Sequence, residues 1–152
     1  MKSTLRDYFD LRVEAVMKTL PPPVQNVIAS EVPLLVEDYP SKEVCREMEI
    51  EFRDELCGLF TGTAITERSI EHAPQAPESV IIYREGIIAQ ALERDDSIPD
   101  EYFESLADDY SNVEISQINE ILLDEEIRIT ILHEYGHLHG LNEDDLERFG
   151  YA

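Results

Sequence analysis

The stretch ITILHEYGHLHGLNEDDLERFGY, residues 129–151, holds three of the four histidines in the chain. Within it, His133-Glu134-Tyr135-Gly136-His137 has a spacing that can do chemistry. Helical residues four apart share a face, with Cβ atoms roughly 5–6 Å apart. His133 and His137 can therefore offer imidazole nitrogens to one ion, at the distance of about 2.0–2.1 Å usual for zinc. Glu134 lies one position on, about 100° around the axis. Its carboxylate then stands beside the metal, where a general base for a bound water belongs. An apolar helix that buries two histidines and a glutamate must partner them, because unpaired buried polar groups cost a few kcal/mol each. A metal partners all three; a hydrogen-bonded structural cluster is the plainer alternative.

A catalytic zinc takes three protein ligands and a water. Gly140 lets the chain turn back under the ion, and Glu143 stands ten residues after His133, followed by Asp144 and Asp145. Glu143 is the first candidate for the third ligand, with Asp144 and the distant His72 as alternatives. His139 is two positions from His137 and points to nearly the opposite side of the helix, as a surface or supporting histidine would. The expected cofactor is Zn2+.

Other elements must position this helix. Two apolar stripes predict a helix over 114–139, one through Ile115, Ile118, Leu122, Ile129 and Leu132 and one through Ile127, Ile131 and Leu138. Gly140 suits a left-handed C′ position, and Asn142 can cap a short turn over 143–149. Upstream, Leu5, Phe9, Val13, Val16 and Leu20 predict a helix over 3–19 capped by Ser3, ended by Pro21-Pro22-Pro23. A second helix follows over 22–30, with Val24, Val27 and Ile28 inward. Strands are predicted at 32–38, 56–66 and 78–88, the second with a turn at Thr61-Gly62-Thr63. Ser41 can cap a short helical or irregular stretch with Val44 and Cys45, and residues 67–78, with His72, read as an exposed loop. Residues 92–113 carry eight acids and one arginine and read as an acidic surface insertion, with Pro99 opening a short helix.

The 152 residues suit a single domain, residues 1–152. The net charge of −22 repels phosphate backbones and anionic bilayers, so neither nucleic acid nor a membrane is an expected partner. Basic peptides would be attracted. The charge is uneven: residues 1–94 carry 10 basic and 17 acidic side chains, residues 95–152 carry 2 and 17. The half that holds the histidine cluster is a negative field that favours a divalent cation. Cys45 and Cys57 lack metal-ligand spacing and read as buried reduced thiols. The charged N-terminus has no apolar h-region, and no apolar run reaches the roughly 18 residues of a membrane span. The cytoplasm is the expected compartment.

Several stretches resemble one family. LPPPVQNVIASEVPLLVEDYP, ELCGLFTGTAITERS, ESVIIYREGII and HEYGHLHGLNEDDLERFGY together resemble segments of small bacterial zincin-like metallopeptidases with a matrix-metalloprotease-like motif. The resemblance covers most of residues 18–151, and the helix signature is its specific part. It implies an α+β fold, with a three- to four-stranded sheet packed against helices and a long C-terminal HExxH helix. It implies a zinc site at His133, His137 and Glu143, with Glu134 as base, since extended zincin motifs place the third ligand at this offset. Three features depart from it. The acidic stretch at 92–113 is longer than the usual link. Residue 143 is glutamate where aspartate is common. The methionines are Met1, Met17 and Met48, so no methionine turn follows the motif.

Two functions of different class follow. One is a zinc-dependent peptidase acting on a peptide or protein substrate, with Tyr151, Tyr83 or His72 as oxyanion helper and strand 78–88 as an edge for the substrate backbone. The other is a zinc-binding interaction module with little or no peptidase activity, docking a basic partner on the acidic face. A zinc hydrolase acting on RNA is a third, and the −22 charge argues against it.

Overall fold

Leu5, Phe9, Val13 and Val16 are all buried along one face of α1 (Ser3–Met17), as their spacing predicts. In the computed structural model, which describes residues 1–62, 78–140, 142–148 and 150, Lys2 rather than Ser3 occupies the N-cap and Ser3 lies inside the helix. Pro22 opens α2 (Pro22–Ser30), whose Val24, Val27 and Ile28 pack against the core. The next strand, β1 (Leu34–Glu37), is shorter than the apolar run because Pro33 has no N–H to give a ladder. The Ser41 side chain accepts from the Val44 N–H and so starts α3 (Lys42–Glu47).

The sheet has three strands among the described residues, in the order β1-β3-β2. Here β2 is Gly58–Thr61 and β3 is Ser79–Tyr83. The β1 strand pairs parallel to β3, with Leu34 opposite Val80, and β2 pairs antiparallel to β3, with Gly58 opposite Ile82. The central strand buries Val80 and Ile82 completely.

Two expectations need correction here. The segment 78–88 is not one strand: it turns at Tyr83 into a helix, α4 (Arg84–Glu93). Burial on every side hid this, because Ile87, Ile88, Ala89, Ala91 and Leu92 leave no polar face to reveal a helical period. Its first two residues are buried charges, each with partners. Arg84 Nε and Nη2 donate to Asp10 at 3.0 Å and Nη1 to Asp38 at 2.8 Å. Glu85, with no exposed surface, pairs with Arg53 Nε at 2.8 Å and accepts from the Tyr110 N–H at 3.2 Å. The acidic stretch at 92–113 is also more than a solvated insertion. It holds α5 (Asp100–Leu106), and Leu92, Leu106, Tyr110 and Val113 enter the core.

The long helix α6 (Glu120–Leu138) starts later than the apolar pattern predicts. Asn119 caps it, accepting from the N–H groups of Ile121 and Leu122, while residues 115–117 form a 3₁₀ turn. Leu123, Ile127, Ile131 and Leu138 are fully buried, and the Tyr135 hydroxyl donates to the Val32 carbonyl at 2.7 Å. Arg12 ties α1 to α6 through a two-point pair with Asp124, at 2.8 and 2.6 Å. These contacts fix α6 against α1 on one flank and against α4 and β2 on the other. Cys45 and Cys57 are free thiols, each half-buried. No described helix is long and apolar enough to cross a membrane. A small mixed sheet, surrounding helices and a long C-terminal helix make the fold α+β.

Candidate metal centre

The site begins with the turn after α6. Gly140 takes φ 79°, the left-handed conformation that a glycine adopts without strain, and the chain reverses. Asn142 and Asp145 then close a reciprocal cap. The Asp145 N–H donates to Asn142 Oδ1 at 2.9 Å, and the Asn142 N–H donates to Asp145 Oδ2 at 3.2 Å. That cap starts α7 (Glu143–Arg148), whose first residue swings back over the end of α6.

Three side chains converge as a result. His133 Nε2 and His137 Nε2 are 3.1 Å apart. Glu143 Oε1 lies 3.0 Å from His137 Nε2, and Oε2 lies 3.5 Å from His133 Nε2. Ligands bound tetrahedrally at about 2.0–2.1 Å stand roughly 3.3–3.4 Å from one another. The contacts, one to each Glu143 oxygen, lie close to that edge length, and two imidazoles with one carboxylate form a donor set suited to a borderline metal. The imidazole rings meet edge to face, with an interplanar angle of 81°, so their lone pairs can converge. The Glu143 side chain is 71% exposed, which leaves the far side of the cluster open.

Glu134 is the sequence neighbour with a different environment. It is 8% exposed, and burial pushes its carboxyl above the usual carboxylate range. The imidazoles of His133 and His137 and the Phe60 backbone N–H pull the other way. Gly58 makes this placement possible. A Cβ there would come within 2.9 Å of both Glu134 Cγ and Thr130 Cγ2. The glycine therefore lets β2 lie directly on the helix face that carries Glu134. A cleft of about 550 Å³ opens beside the cluster, with Leu59 and Phe60 of β2 on one wall and His133, His137 and Glu143 on the other.

Other candidates fare differently. Asp144 and the exposed His139 do not join the donor cluster. His72 and Tyr151 lie outside the described residues. Tyr83 is 1% exposed, its hydroxyl is pushed up to about 12 chiefly by burial, and it does not line the cleft. The strand expected to serve as an edge, β3, is the centre of the sheet; among the described residues β2 is the edge beside the site. Sequence reasoning missed this role for β2, although an isolated glycine within a strand is a known sign of close backbone approach.

A helix presenting His-Glu-x-x-His to a cleft below a sheet edge is the arrangement of a zincin-type domain. The chain belongs to the zincin-like metallopeptidase family, whose model matches residues 29–106 and 112–151. No curated protein matches it. The match runs through most of the acidic stretch and omits only residues 107–111, where Tyr110 enters the core.

Proposed function

We propose that the chain is a zinc-dependent peptidase, with His133, His137 and Glu143 as metal ligands and Glu134 as general base. The observation that carries this is the cluster itself: two imidazole nitrogens 3.1 Å apart, each within 3.0–3.5 Å of one oxygen of the Glu143 carboxylate, next to a buried carboxylate that faces the same cleft. Zinc, when bound, supplies a Lewis acid that makes water nucleophilic near neutral pH and polarises a carbonyl. The Glu134 carboxylate accepts the proton of the attacking water and hands it to the leaving amine nitrogen. The β2 edge offers backbone N–H and C=O groups to an extended peptide, aligning a scissile bond with the cleft. The chain's −22 charge favours basic peptides or proteins as substrates and disfavours RNA.

The test combines metal content with turnover. Protein purified without added zinc should carry about one equivalent, as should Glu134→Ala, and His137→Ala should lose it. Glu134→Ala should lower kcat/KM on a peptide library by at least about 10²-fold. A Glu134→Ala variant that cleaves at the parental rate overturns the mechanism. A wild-type protein that holds zinc, turns over no peptide and captures a basic partner is an interaction module instead.

A further inference from the structure

A second, smaller cavity of about 270 Å³ adjoins the metal cleft and shares His133, Glu134, Leu56 and Gly58 with it. Its volume lies at the lower edge of the about 300–1,000 Å³ of small-molecule sites and has room for one long side chain. Leu56, Cys57 and Ile129 give it apolar lining, and Glu55, whose Oε1 accepts from the Phe52 N–H at 3.0 Å, and Glu126 supply carboxylates. Gln90 also lines it. An apolar stem with a cation at its tip matches this arrangement, because the long methylene chains of lysine and arginine favour apolar walls while their heads seek carboxylates.

Resting on the peptidase reading, we propose that this cavity selects a lysine or arginine side chain of the substrate, at the residue beside the scissile bond. Position follows from the shared walls: a side chain in the cavity leaves its own backbone next to His133 and Glu134. Charge follows from the surroundings. Arg94, the cation paired with Glu126, is divided between Glu126 at 2.6 Å and Glu125 at 2.8 Å. Two carboxylates thus share one guanidinium, and Glu55 and Glu134 add to the negative side. The thiol of Cys57 senses the same field. It is pushed up to about 12, first by burial and then by Glu126, Glu134, Glu93 and Asp54. A neutral thiol wall and these carboxylates exclude acidic side chains by the same argument that admits basic ones.

The experiment measures binding separately from cleavage. Glu134→Gln protein is titrated with four fluorescent hexapeptides. Three differ only at the central residue, which is lysine, norleucine or glutamate. The fourth has norleucine at the centre and lysine at its far end, so that it matches the first in net charge. The central-lysine peptide should bind at least about tenfold more tightly than the charge-matched control, the effect of one partly desolvated ion pair. Glu55→Gln/Glu126→Gln in the same background should reduce that ratio below about threefold. Equal affinities for the central-lysine peptide and its control, or an unchanged ratio in the double variant, overturn the assignment, as does failure of every peptide to bind. Wild-type cleavage of the same peptides separates the two proposals. A central-lysine preference in binding without any cleavage removes the peptidase reading and leaves the pocket. Cleavage without that preference removes the pocket and leaves the peptidase.

Discussion

Single residues decide whether this site can exist. Gly58 is the clearest case, because its missing Cβ is what lets β2 lie against the Glu134 side chain of α6. Gly58→Ala should push against Glu134 Cγ and Thr130 Cγ2, both on buried side chains with little room to yield. The expected loss is about 1–3 kcal/mol in urea unfolding, together with a fall in peptide turnover larger than the fall in zinc content. An unchanged unfolding midpoint would show that β2 can lift away freely. At this scale the sequence was readable where geometry is local. The separation of His133 and His137 is fixed by the helix itself, and Gly140 announces the reversal that returns Glu143 to them. Gly58 was not readable, since its partner lies more than 70 residues away and only the tertiary fold brings them into contact.

At the scale of elements, α4 positions β2. Gly86 faces the segment that leads into β2, and a Cβ there would stand 2.3 Å from the Leu56 carbonyl oxygen and 3.2 Å from that of Asp54. Propensity and packing make opposite predictions for Gly86→Ala. Alanine in a helix is favoured over glycine by about 1 kcal/mol. The clash is with backbone, which cannot rotate aside, so packing should win and the variant should lose about 2 kcal/mol or more. A variant more stable than the parent by urea titration would mean that the helix moves outward without penalty. The ends of the elements explain what sequence could and could not show. Ser41 and Asn142 cap the helices they were expected to cap, because side-chain capping is a contact within three residues. The start of α4 was invisible, since its opening Arg84 and Glu85 are held by Asp10, Asp38 and Arg53, residues far along the chain. Tyr110 and Val113 were likewise hidden among acids that point to solvent while these two point inward.

For the whole molecule, charge is the strongest influence, and part of it is tied to folding. Burial raises the Asp38 carboxyl, but the hydrogen bond from Arg6 and the charges of Arg6 and Arg84 outweigh it, so its pKa lies below the ordinary value. A carboxyl depressed in the folded state adds stability above its unfolded pKa of about 3.9, and loses it as pH falls through the folded value. The stability difference between the parent and Asp38→Asn should therefore be constant from about pH 7 to pH 5 and shrink below about pH 4. Unfolding by urea at pH 7, 5, 4 and 3 measures it; a difference that grows on acidification contradicts the sign. The overall charge of −22 was legible from composition alone. Its arrangement around two adjoining cavities was not, because Glu55, which precedes β2, and Glu126 and Glu134 of α6 line one cavity only in the tertiary fold.

The third donor reaches its place from a different helix than the other two, across a reversal at Gly140. With the proposed ligand set, ion capture and the seating of α7 are one thermodynamic event. Whatever factor the docked helix adds to affinity for the ion, the ion returns to the docked helix. Amide exchange along residues 143–148 should then slow on loading by that same factor, making the final helix a built-in gauge of occupancy.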